Sequence, residues 1–191
     1  MNILNFDEIN KYKTYREWLE GLTPSEVMEN KQRIRDDLWD LLEYLYMLGF
    51  TQAYEEVGGI AEDVIPFLPD DYDDRRDEEI YRKWDDKDFA DRVTEYAEMG
   101  DVPSIIRVAE TDGNRVFNSG GLLGATTAGA TTKTWRTMMD DRVRDLHDPL
   151  EGVTVPIDGY FVAWDGDKAR YPGDFSEPQG NINCRCWCDY E

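Results

Sequence analysis

KTWRTMMDDRVRDLHDPLEGVTVPIDGYF (Lys133 to Phe161) and RYPGDFSEPQGNINCRC (Arg170 to Cys186) decide the architecture of this chain. Upstream of Lys133 the apolar residues recur at helical spacing. From Lys133 to Met138 the pattern alternates as in a half-buried strand. Val153 to Ile157 and Tyr160 to Trp164 are further short strand candidates, with Gly159 and Asp165-Gly166 as turns. Asp140 to Asp145 reads as a turn or a short helix. The fold class is therefore α+β: a helical N-terminal part followed by a small compact α+β module with short strands.

Working back from that module, residues 120–132 (GGLLGATTAGATT) are small and uncharged and read as a flexible segment. Asp101 caps a helix with Pro103 in its first turn. Arg75 to Trp84 and Lys87 to Met99 read as two polar helices, and Pro66, Pro69 and the run Asp70 to Asp74 as a loop. Thr23-Pro24-Ser25-Glu26 has the form of a capping box with Pro at the first helical position. The helix it opens is expected to reach Leu48 and stop at Gly49. Val27, Ile34, Leu38, Leu41 and Leu45 form an apolar stripe along it, a candidate partner-binding surface. A shorter helix is expected from Gln52 to Val57.

The chain has 191 residues, enough for a proper core, with 42 acidic and 21 basic residues and a net charge of −21. Residues 131–191 hold 12 of those acids and 7 of the bases, so most of the excess lies upstream. Such a surface repels phosphates, and direct sequence-specific nucleic-acid binding is not expected. The N-terminus lacks the basic and apolar regions of a secretory signal, and no run is long enough for a membrane span. The expectation is a cytoplasmic protein with no membrane partner. Cys184, Cys186 and Cys188 are odd in number and crowded, unlike a secreted disulfide framework.

Three chemistries compete at His147, the one histidine of the chain. It could serve as base to Cys184 or Cys186, oriented by Asp145 or Asp148. It could join Cys184, Cys186 and Cys188 as a zinc ligand, although alternate residues of one strand sit about 6–7 Å apart, too far without a turn. The reading preferred from sequence makes His147 a hydrogen-bonding strut, Cys184 and Cys186 small buried hydrophobes and Cys188 incidental, with no metal and no cofactor. Asp70 to Asp74 and Asp165 to Lys168 lack the glycine and distal glutamate of an EF-hand loop. Gly120 to Gly124 lacks the lysine of a phosphate loop.

The ordered set Lys133, Trp135, Asp140, Asp141, Arg142, Arg144, His147, Gly152, Phe161, Pro172, Asn183, Cys184, Arg185 and Cys186 resembles the C-terminal signature of the phage Mu protein F-like family, the minor head (head morphogenesis) proteins of tailed bacteriophages. Arg107 to Gly120 resembles the helix that precedes the signature, so the resemblance covers residues 104–188. It implies two regions, 1–103 acidic and helical and 104–191 the family module. It further implies a non-catalytic capsid component, inside the virion head and in the host cytoplasm during assembly, with the portal protein and other head proteins as partners. A module of this family also leads some toxin polypeptides, which keeps an enzyme or toxin-related reading as the alternative. Arg142, Arg144 and Arg185, being signature residues, are expected to form an ion-pair lattice with Asp140, Asp141 and Asp174.

Overall fold

The computed structural model describes residues 4–60 and 68–191. Its elements run in the order α1 (Asn10–Glu20), α2 (Pro24–Glu29), α3 (Lys31–Glu56), α4 (Tyr72–Ile80), α5 (Phe89–Met99), α6 (Val102–Ala128), β1 (Thr132–Arg136), β2 (Thr154–Pro156), β3 (Phe161–Val162), β4 (Lys168–Ala169), α7 (Pro178–Asn181) and β5 (Trp187–Tyr190). Helices fill the N-terminal and central chain and short antiparallel strands the C-terminal part, so the fold is α+β.

Local signals set several boundaries. Thr23 accepts from the Glu26 N–H while the Glu26 carboxylate accepts from the Thr23 N–H, a reciprocal cap that satisfies two free helix donors. Asp88 and Asp91 repeat the arrangement at α5, and Asp101 caps α6 through the Ser104 N–H. The single helix expected from Pro24 to Leu48 is two. Asn30, at φ −95° and ψ 10°, ends α2 and leads into α3. Asp70 to Asp74 is not all loop either. α4 starts at Tyr72, which is buried with its ring 5.4 Å from Tyr46 and 5.6 Å from Phe50. Pro66 lies outside the described residues.

The larger correction concerns the glycines. α3 passes through Gly49 to Glu56, absorbing the expected helix at 52–57, and α6 continues through residues 120–128, which are helix and not a flexible segment. The two long helices cross with backbones in close approach. A Cβ on Gly49 would fall 2.0 Å from the Phe117 carbonyl oxygen. One on Gly120 or Gly124 would fall 2.1 Å from that of Tyr46 or Phe50. A glycine costs a helix about 1 kcal/mol relative to alanine, but here it lets two backbones pack where any side chain would hold them apart.

Val27, Ile34, Leu38, Leu41 and Leu45 are each fully buried in the helical core, with Leu19, Ile80, Phe89 and Val93 among their companions. That overturns the expected partner-binding stripe: its apolar surface is already removed from water by the protein's own helices. α6 also crosses the expected boundary at 103/104. Ile105, Val116 and Phe117 belong to the helical core, whereas Ala125 joins a second core under the strands.

In the C-terminal part β1 is central, antiparallel to β2 and β5 in the order β2-β1-β5, and β3 pairs with β4 as a separate two-stranded arm. The register sets Trp135 opposite Cys188 and Lys133 opposite Tyr190. Among the described residues no helix is long and apolar enough to cross a membrane.

Candidate functional site

β1 alternates between outward and inward positions, and its two inward side chains are Lys133 and Trp135, both essentially fully buried. The Trp135 ring meets Phe161 at 5.1 Å, Phe175 at 5.7 Å and His147 at 5.5 Å. His147 comes from the irregular segment after β1. Its N–H donates to the Arg144 carbonyl, and its own carbonyl accepts from Leu150. The imidazole lies parallel to Phe175, 5.5 Å away at 19°.

Two cysteines close the group. Asn183 adopts a left-handed backbone, φ 54°, and the Cys184 N–H donates to Asn181. Asparagine tolerates that conformation better than most residues. The turn draws two alternate side chains together: Cys184 Sγ lies 3.7 Å and Cys186 Sγ 3.5 Å from His147 Nδ1, all three residues buried. Their ligand atoms lie within 4.8 Å of one another. Cys188 is outside the group, one strand step farther on in β5 beside Lys133. The turn needed to bring cysteines together exists for the first two and not for the third.

The electrostatics follow from this packing. The Cys184–Cys186 hydrogen bond and His147 hold Cys184 well below the ordinary thiol range, while the same neighbour and burial push Cys186 far above it. Burial raises Cys188. Burial also lowers Lys133 to about 8. Its ammonium donates to the Ile157 carbonyl at 2.7 Å and sits 5.8 Å over the Phe161 ring.

A thiolate and an imidazole in contact could be a nucleophile and its base, but the third member is absent. Among the described residues His147 Nε2 has no hydrogen-bond partner, and Asp145 and Asp148 are both exposed. Cys184 and Cys186 are each only 4% exposed, which leaves a substrate little access. What the group can do as it stands is hold a soft cation.

The other signature residues lie around this centre in different settings. Gly152, φ 73°, turns the chain into β2 and donates to the Trp135 carbonyl. Arg185 makes a two-pronged pair with Asp140, at 2.7 and 2.9 Å, on the surface. Asp141 and Arg142 are exposed, and neither the Arg142 nor the Arg144 side chain forms an ion pair among the described residues. The expected lattice through Arg142 and Arg144 is thus corrected. Arg142 is exposed and Arg144 half-buried on the surface turn.

A buried lattice does exist; it includes the expected acceptor Asp174, but its centre is Arg115, Glu79 and Asp112, which the sequence reading did not mark. Arg115 is 1% exposed and pairs with Glu79 and with Asp112, the latter at 2.9 Å. Asp112 also accepts from Arg92 at 2.8 Å, and Glu79 from the Tyr171 hydroxyl at 2.7 Å. Asp174 accepts from Arg82 and Arg170. Burial opposes its charge, but the Arg170 fork and backbone N–H hold its carboxyl below the usual range. Gly173, φ 96°, lets the loop lie on α6, where a Cβ would come 2.9 Å from the Arg115 Cα. The lattice ties α4, α5 and α6 to the 170–174 loop. The trace of its centre in the sequence is the i, i+3 pair Asp112 and Arg115 in α6. No family model, no curated protein and no solved structure matches the chain.

Proposed function

We propose that the chain is a minor head protein of a tailed bacteriophage or prophage, a non-catalytic component of the head interior that associates with the portal and acts in head morphogenesis and DNA ejection. The observation that carries the reading is where the signature residues stand. Lys133, Trp135, Phe161, His147, Cys184 and Cys186, spread over 54 positions, meet in one buried group. Asn183 and Gly152, also signature residues, shape turns that deliver them. An ordered motif whose members share one core behaves as a module. The enzyme reading is the weaker one, because the histidine has no orienting partner among the described residues and the two cysteines are buried.

With the Val27 to Leu45 stripe buried, a partner must use other surface. Tyr160, Val162 and Trp164 are 53, 53 and 74% exposed and alternate along β3 and its flanks, so they share one face. The test is capture of the portal protein encoded with this chain by the tagged full chain, at low and high salt. Association that survives high salt is expected, since an apolar contact is not screened. It should weaken in a Val162→Asp/Trp164→Asp variant that keeps its circular dichroism. A folded chain that neither captures the portal nor enters procapsids overturns the proposal.

A further inference from the structure

We propose that His147, Cys184 and Cys186 form the binding site of one zinc ion, with protein at three corners of a tetrahedron and a water-derived ligand at the fourth. This inference is independent of the head-protein reading. The distances carry it first. With Zn–S of about 2.3 Å, Zn–N of about 2.0–2.1 Å and tetrahedral angles, a sulfur and a nitrogen on one zinc stand roughly 3.6 Å apart. Nδ1 is 3.5 Å from one sulfur and 3.7 Å from the other. Both nitrogen–sulfur distances thus already match those around one zinc, and the three ligand atoms lie within 4.8 Å of one another.

The donor set points the same way. Two thiolates and an imidazole suit a borderline-soft cation and are a poor match for magnesium or calcium, which take oxygen. Charge agrees as well. Two thiolates and a neutral imidazole around Zn²⁺ sum to zero, so a fully buried site carries no net ionic cost. Binding releases the two thiol protons to solvent and changes no oxidation state.

The surroundings form a built shell. Phe175 stacks on the imidazole and Trp135 meets its edge, so ring orientation is fixed by packing. The Trp135 indole N–H is buried, has no conventional partner, and lies beside Cys186, where it could donate only to sulfur. Among the described residues no other Cys, His, Asp or Glu joins the group, which leaves the fourth corner to water. The site would clip the segment carrying His147 to the 183–186 turn, two stretches with no ladder between them. A metal there contributes to the stability of the fold.

The experiment takes the full chain, purified with reductant and without chelator, then loaded with zinc alone. Elemental analysis should find one zinc per chain, retained in Cys188→Ser and lost in Cys184→Ser and Cys186→Ser. Should the serine variants fail to fold, cobalt(II) loading of the wild-type chain decides. Near-ultraviolet sulfur-to-cobalt charge transfer with tetrahedral d–d bands is expected. A folded wild-type chain that takes up neither zinc nor cobalt, or zinc retained in both folded variants, overturns the proposal. So does copper(I) as the one metal bound, or a Cys184–Cys186 disulfide in the reduced preparation.

Discussion

The helical region and the strand-bearing region solve the same problem by opposite means. In the first, long regular elements bury apolar stripes and the backbone hydrogen bonds come with the helices. In the second, the strands are two to five residues long, and the segments 137–147 and 170–177 have no ladder at all. There the side chains supply the order: a stack of Trp135, His147, Phe161 and Phe175, two cysteines, a buried lysine, and ion pairs reaching back to the helices. Regular structure tolerates replacement of one apolar residue by another of similar size. A region ordered by specific polar and aromatic contacts does not, which is what an ordered signature in the sequence looks like from within.

The sharpest way to break the comparison is at the seam. Arg115→Ala removes the buried cation shared by Glu79 and Asp112, leaving Asp112 to Arg92 and Glu79 to Tyr171 and Arg82, and losing one member of a buried ion pair costs on the order of 3–5 kcal/mol. Chemical denaturation should register that loss, with Arg115→Lys recovering only part of it, since an ammonium cannot serve both carboxylates as a fork does. A loss under about 1 kcal/mol would mean the lattice is solvated and the two regions are joined by apolar packing alone.

Within the helical region, Gly120→Val should cost about 1–3 kcal/mol through overpacking, because its Cβ would strike the Tyr46 carbonyl. Gly129→Ala is the comparison: it has φ 92° but nothing within 4 Å of its Cβ, so it tests backbone strain without close approach. If the two variants have equal melting temperatures, the α3–α6 crossing is not what the glycines serve.

The smallest effect belongs to Lys133 and is read as a pH slope. Burial lowers its folded value to about 8 from the ordinary 10.5, so the unfolded chain binds more protons between those two pH values. The stability of the wild type relative to Lys133→Met should therefore rise with pH from about 8 to 10.5 and be flat below. A flat difference across that window would show that Lys133 stays charged and is solvated.

How much of this was legible follows from the kind of signal involved. The capping box at Thr23 and Glu26 and the cap at Asp101 are local, and they read correctly because the hydrogen bonds involved span three residues. The strand at Lys133 to Arg136 was legible from alternation. Asn30 was not, since its bend leaves the apolar spacing intact across α2 and α3. Residues 120–128 were misread because glycine propensity describes an isolated helix, and the reason for the glycines is a second helix 70 residues away. The stripe from Val27 to Leu45 was seen correctly as apolar, but periodicity cannot say what covers it. At the candidate site, the sequence offered His147 and three cysteines as a set. The resemblance set Cys184 and Cys186 apart from Cys188, but that His147 meets those two was not legible, because the left-handed turn at Asn183 that gathers them is a backbone event.

The long helix α6 has a consequence for how the molecule fails. Its Phe117 and Leu123 lie in the helical core while Ala125 lies under the strands, and Asp112 and Arg115 anchor the lattice between them. One rod is thus a wall of two rooms. Neither region can melt without stripping a face from the other, so damage at either end is felt as loss of the whole. A chain built this way tolerates errors at its rim and has no safe half to fall back on.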